Sequence, residues 1–221
     1  MLQLERLWVR IDGADVLRNV SLHVRPNSFV ALIGRNGAGK TTLMRAVMNL
    51  IPRWSGEIRI GDRATTEASP SDHARFGVGY MPEDRRLIAG WTVEQNIMLP
   101  AWANPQLEAQ ARLQWCYSLI PEIAPFARRR AMELSGGQQK LVALARALMV
   151  ARDLLLLDEP FEGVAPVLAQ RIVEILSELR NTGSLSVLIS ESDATHSRRF
   201  VDNAYVIERG AVSVMDGEHH R

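Results

Sequence analysis

The 221-residue chain is nearly without lysine: its 26 basic residues are 24 arginines and two lysines, Lys40 and Lys140. Arginine serves wherever a surface cation is all that is needed, so the two lysines are positions to locate. Cysteine is scarcer still. Cys116 stands alone, which excludes an intrachain disulfide and a cysteine-built metal site and fits a reducing compartment. No apolar run reaches the roughly 18 residues of a bilayer span. Met1 to Asp12 interleave apolar with charged types, so no secretory leader is expected. An excess of one charge sign is also missing. The formal net charge of +1 supplies no basic field for nucleic acid. What remains, 47% hydrophobic and 23% charged residues, is the balance of an ordinary globular chain. A soluble cytoplasmic protein is expected, meeting a membrane only through a partner.

Hydrophobic patterning predicts an α/β fold. Leu2–Ile11 and Val16–Val24 read as strands joined by a turn over Asp12–Asp15. Phe29–Ile33 is a short all-apolar run, the pattern of a buried parallel strand. A helix is predicted over Lys40–Leu50, and further strands over Gly56–Ile60 and Gly77–Met81. From Thr92 to Val150 strand patterns vanish, and helical ones punctuated by Pro100, Pro105, Pro121 and Pro125 take over. Leu154–Leu157, Leu185–Ser190, Ala204–Glu208 and Ala211–Met215 resume the strands, with a helix over Pro166–Arg180 and a short one after Ser190. Strands alternating with helices predict a mostly parallel sheet. The expected organisation is an α/β core over residues 1–91 and 151–221, with a helical subdomain inserted at 92–150.

Three motifs carry chemistry. Gly34, Arg35, Asn36, Gly37, Ala38, Gly39, Lys40 and Thr41 fit GxxxxGK[ST] between the buried strand and the helix. Glycines let consecutive backbone N–H groups turn inward around phosphate oxygens, and the helix N-terminus faces the same anion. Lys40 suits the β and γ phosphates as a compact charge, and the Thr41 hydroxyl suits Mg²⁺. Second, Leu154–Leu157 ends in Asp158, Glu159 and Pro160. Paired carboxylates at the end of an apolar strand are costly without a cation. Asp158 is placed in the Mg²⁺ shell, and Glu159 is the candidate to polarise the attacking water. Third, Leu134-Ser135-Gly136-Gly137-Gln138 precedes an amphipathic helix. Ser135 is a good N-cap, and the two glycines leave N–H groups open.

With that third segment the chain resembles the nucleotide-binding subunit of ATP-binding-cassette (ABC) transporters over essentially its full length. The resemblance implies a P-loop NTPase with a mostly parallel central sheet, an N-terminal antiparallel β subdomain and an inserted helical subdomain. It implies an ATPase with ATP and Mg²⁺, two cassettes closing head to tail, and Ser135, Gly136, Gly137 and Gln138 covering the ATP of the partner cassette. Thr42 joins the nucleotide-binding set. Integral permease subunits are the implied partners, with a solute-binding protein acting indirectly, and the implied location is the cytoplasmic face of the inner membrane. Tyr80–Leu87 with Thr92–Asn96, and Asp158–Pro166, are similar to segments of branched-chain amino acid importers. Urea, amide and some sugar importers share much of this.

Departures from the family pattern matter. Glu83 replaces the usual Gln beside Mg²⁺ and the attacking water, as in the branched-chain subgroup. Ser192 stands where His or Gln is usual near the γ phosphate, and its short hydroxyl reaches less far. Ile11 occupies the place of the aromatic residue that stacks on adenine. Pro26-Asn27-Ser28 replaces Pro-Gly-Glu, and Asn tolerates the left-handed backbone of that turn. His196 reads as a surface histidine directed along a helix, Arg128–Arg130 as a solvated helix end, and Lys140 has no evident role. The expected pair is a heterodimer in which this chain's own site is the slower one. A partner cassette with little hydrolysis, and a cassette ATPase outside transport, are the alternatives.

Overall fold

The computed structural model describes residues 1–215; the end of the predicted core segment, residues 216–221, lies outside them. β1 (Leu2–Ile11) and β2 (Ala14–Val24) form an antiparallel hairpin. Its turn is shorter than expected. Only Asp12 and Gly13 leave the strands, both with positive φ (50° and 80°), the two-residue turn whose twist matches the strands. β4 (Ser55–Ile60) and β5 (Arg63–Ala64) complete a four-stranded sheet in the order β2-β1-β4-β5.

The second sheet runs β10-β9-β3-β8-β7-β6. Its members are β3 (Phe29–Ile33), β6 (Val78–Met81), β7 (Leu154–Asp158), β8 (Ser186–Glu191), β9 (Asn203–Glu208) and β10 (Ala211–Val214). All neighbours pair in parallel except β10, which returns antiparallel to β9. Every residue of β3, β7 and β8 is buried, which accounts for the apolar runs Phe29–Ile33, Leu154–Leu157 and Val187–Ile189 within them. Alternation divides their side chains. Leu154 and Leu156 join a core shared with the antiparallel sheet and α1 (Lys40–Val47). Leu155 and Leu157 face the opposite core. That core is filled by α3 (Val93–Trp102), α4 (Ala109–Leu119), α5 (Gly136–Val150) and α6 (Pro166–Asn181).

The regular elements between residues 92 and 150 are helices. α3 and α5 both begin with capping boxes, at Thr92/Gln95 and Ser135/Gln138, which satisfy two open N–H groups reciprocally. A short helix not anticipated, α2 (Asp72–Arg75), lies before β6. α1 ends before the predicted Leu50. Asn49 turns left-handed (φ 52°), and its amide donates to the carbonyls of Thr65 and Ala68. Asn27 adopts φ 56°, as its turn required. After Ser190 the expected helix is a single 3-10 turn at Ser197–Arg199. Strand order is what positions the site: β8 lies between β3 and β7. The carboxyl ends of three neighbouring strands therefore converge at Gly34, Asp158 and Glu191, where open α/β sheets bind ligands.

Candidate nucleotide site

The phosphate loop is shaped by its own backbone. Gly39 is the N-cap of α1 at φ 112°, with no side-chain cap bond, so the first N–H groups of α1 are open to an anion. A Cβ on Gly34 would stand 2.4 Å from the Ile207 carbonyl oxygen, which excludes any larger residue. The cavity in front of the loop is lined by Asn36, Gly37, Gly39, Lys40, Thr41 and Thr42, faced by Glu83, Glu159 and Glu162 and closed at one end by Val16. Lys40 is 5% exposed. Its Nζ donates to the carbonyls of Gly34 and Arg35 and pairs with Glu159 Oε1 at 2.8 Å.

The acid end is built differently. Asp158 is wholly buried at the end of β7. Burial pushes its carboxyl above the usual range, and the hydrogen bond from Ser190 opposes that rise. Ser190 Oγ donates to Asp158 Oδ1 at 2.8 Å and accepts the Glu159 N–H at 3.0 Å. Thr41 Oγ1 donates to Glu83 Oε2 at 3.4 Å. Thr41, Glu83 and Asp158 thus form an oxygen-only donor set beside the loop. Glu159 follows with φ 49°, and its carbonyl accepts from Lys140 Nζ at 2.8 Å. Both lysines of the chain therefore end on Glu159, one at its carboxylate and one at its carbonyl. Ser190 and Lys140 are the contributors that motif reading missed. Ser190 was indistinguishable from any strand residue, and for Lys140 the only signal was the rarity of lysine.

Ser192 Oγ lies 3.1 Å from Asn36 Oδ1 and 3.2 Å from Glu159 Oε1. One hydroxyl proton serves one of these acceptors at a time. His196 sits on a turn, not a helix, and stacks on Phe161 with centroids 4.4 Å apart. Glu191 is buried; Ser197 Oγ donates to its Oε2, while Oε1 has no partner. Burial pushes its carboxyl up to about 7. Ile11 is 40% exposed beside the hairpin turn and outside the residues lining the loop cavity, where Val16 stands instead. Ser135, Gly136, Gly137 and Gln138 also lie outside that lining. Ser135 and Gly136 are exposed, and the Gly136 carbonyl accepts from Arg85 at 3.0 Å. A groove on the far side of Asp158 is walled by Met48, Leu50, Tyr80, Leu99 and Val150. Tyr80 extends from it to within 3.5 Å of Asp158 Oδ2. Trp91 and Trp102 pair at 5.6 Å, whereas Trp115 packs under Arg112. Arg128–Arg130 are exposed.

A glycine-rich loop between buried strand and helix, facing two carboxylates at the end of a parallel strand, defines a P-loop nucleotide-binding protein of the α/β class. The sequence pattern of the ABC transporter family matches residues 17–162. The chain belongs to that family, and as a member it is an ATPase whose hydrolysis is coupled to transport. It is 33% identical over 216 residues to the high-affinity branched-chain amino acid transport ATP-binding protein BraG of Pseudomonas aeruginosa, covering 98% of this chain and 92% of that one. It is 33% identical over 214 residues to the lipopolysaccharide export system ATP-binding protein LptB of Haemophilus influenzae, covering 96% and 88%. Among solved structures, a nucleotide-free ATP-binding cassette from an ABC transporter superimposes with TM-score 0.82 at 25% identity, over 96% of this chain and 89% of that one. An ATP-binding cassette in its ADP conformation gives TM-score 0.80 at 25% identity, over the same shares.

Proposed function

We propose that this chain is the ATP-binding subunit of an importer, hydrolysing ATP in a cassette dimer to drive uptake of branched-chain or other amino acids through separate membrane subunits. The observation that carries the reading is the convergence of Lys40, Thr41, Glu83 and Glu159 on one cavity, with Asp158 buried directly behind Glu159 and Ser135–Gln138 outside that cavity, available to a second cassette. The triphosphate would lie along the open N–H groups of Gly37 and of Gly39–Thr41, with Lys40 released from the Gly34 and Arg35 carbonyls to the β and γ phosphates. Glu159 accepts the proton of the attacking water, and Ser192 orients the γ-phosphate end. Thr41, Asp158 and Glu83 fit Mg²⁺, a hard cation that takes a few protein oxygens and completes its shell with phosphate and water. When bound it would neutralise charge between the β and γ phosphates. We divide the chain into an α/β core, residues 1–91 and 151–215 of the described chain, and a helical subdomain at 92–150.

The segment Glu83–Asn96 and the apolar groove beside Tyr80 are the surface for the permease subunits, since Tyr80 touches both the groove and the metal carboxylate. No helix among the described residues is long and apolar enough to cross a membrane; peripheral attachment at the cytoplasmic face through those subunits follows from this reading. The branched-chain relatives, including the probable LivF of Archaeoglobus fulgidus at 30% identity, favour amino acids. The LptB relatives favour a second reading, export of a lipid-linked substrate. Ser192, sharing one proton between two acceptors, favours a heterodimer in which this site is the slower one. Affinity purification from native membranes, with identification of the co-purifying integral subunits and cassette, tests the assignment. Amino acid permease subunits and a second, different cassette are expected. Lipopolysaccharide-export subunits, or ribosomal or DNA-repair partners, would overturn it.

A further inference from the structure

Glu159 is held from several sides by other parts of the chain. Its carboxylate oxygen Oε1 meets Lys40 Nζ at 2.8 Å and Ser192 Oγ at 3.2 Å. Its N–H donates to Ser190 Oγ at 3.0 Å. Its carbonyl accepts from Lys140 Nζ at 2.8 Å, and the same nitrogen donates to the Glu162 carbonyl, also at 2.8 Å. The Glu162 N–H returns to the Glu159 carbonyl at 3.2 Å, so the ammonium clamps a turn over residues 159–162. The φ of 49° at Glu159 is disfavoured for a residue with a Cβ, and such a conformation persists only where the surroundings over-determine it. We propose that Lys140 and Ser190 are positioning residues for hydrolysis, gripping the Glu159 peptide from its two ends so that the carboxylate is aimed into the phosphate-loop cavity.

The chemistry of each fits that role. Lys140 Nζ, an ammonium with three donors, meets both carbonyls at 2.8 Å, and its flexible stem places that point charge inside the turn. Lys140 is 4% exposed. Burial, with Arg85 nearby, brings its ammonium down to about 8, which leaves it charged at neutral pH. Ser190 Oγ joins two demands in one atom, donating to the Asp158 carboxylate and accepting from the Glu159 peptide. Lys140 also stands on α5, whose first turn carries Gly136 and Gly137. The grip thus ties the segment offered to a partner's nucleotide to the carboxylate of this chain's own site.

The inference rests on Glu159 as the general base, and the test separates the two. Phosphate release and binding of a fluorescent ATP analogue would be measured on the full chain as wild type, Lys140→Met, Lys140→Arg, Ser190→Ala, Glu159→Gln and the Lys140→Met/Glu159→Gln double variant, with a melting curve for each. Lys140→Met keeps the apolar stem and removes the donors. It is expected to lower kcat about tenfold with analogue affinity within about twofold, since the phosphate loop is untouched; Ser190→Ala should do the same, and Lys140→Arg should recover part of the loss. In the Glu159→Gln background, Lys140→Met should cost no further turnover, because the carboxylate it aims is gone. A destabilised variant that lost turnover equally in both backgrounds would mark a merely structural lysine and overturn the proposal. So would wild-type kcat in Lys140→Met beside an inactive Glu159→Gln. Wild-type turnover in Glu159→Gln would instead overturn the assignment of the base, and the grip with it.

Discussion

The two ends of the nucleotide cavity are built by opposite means. The phosphate loop is local: eight consecutive residues make the cradle, and the glycine at φ 112° opens the helix that follows. The acid end is assembled from afar. Asp158 and Glu159 take their geometry from Ser190, 31 residues from Glu159 on the strand between β3 and β7, and from Lys140, 19 residues away on α5. A cradle made of backbone tolerates change around it but not within it. A carboxylate aimed by distant side chains is exposed to changes that never touch the nucleotide.

The largest effect should come from inside the loop. Lys40→Arg makes the substitution this chain accepts elsewhere, but Nζ is buried against three oxygens and leaves no room for a guanidinium. ATP hydrolysis is expected to fall about 100-fold or more, read as phosphate release; retained turnover would break the contrast at its stronger end. At the acid end, Ser190→Ala should lower turnover about tenfold, the worth of one hydrogen bond to a charged group, with little change in nucleotide affinity. A matched loss of affinity would mean that both ends are one unit.

A smaller effect concerns the strand end itself. Glu191 titrates near 7 when folded against 4.5 ordinarily, because it is buried. Between those values the folded state holds a proton that the unfolded state has lost, so stability falls as pH rises from about 4.5 to about 7, by about 3 kcal/mol in all. Denaturant unfolding across that range should show the slope in wild type and a clearly shallower one in Glu191→Gln, where Asp158 still contributes. The smallest effect is expected at the hairpin. Ile11 is 40% exposed and off the cavity wall, so Ile11→Ala should change ATP affinity less than about threefold, whereas Val16→Ala, on the wall, should change it more. The reverse order would restore Ile11 as the adenine contact.

The same contrast decides what could be read in advance. Strands β3, β7 and β8 are legible because full burial imposes an apolar run in each, and the loop is legible because its chemistry sits in one stretch of chain. Boundaries differ where a long-range bond sets them: α1 ends at Val47, and the chain turns away at left-handed Asn49, whose amide reaches Thr65 and Ala68. The hairpin turn came out two residues short of its predicted length because Asp12-Gly13 alone supplies both positive φ values. Ser190 gave no signal, since its meaning depends on strand order, which no local pattern carries. Lys140 is visible in the sequence only as a rarity, since its role depends on α5 packing against the turn after β7. His196 was placed on a helix that does not form, and its ring instead covers Phe161.

The most direct test of an acid end aimed from a distance is a crystal structure of Lys140→Met bound to a non-hydrolysable ATP analogue and Mg²⁺, beside the wild-type complex. The account predicts an unchanged phosphate loop around the β and γ phosphates in both, with the Glu159 peptide leaving its left-handed conformation and the carboxylate displaced in the variant alone. A Glu159 that keeps φ near 49° and the same carboxylate position without Lys140 would contradict it.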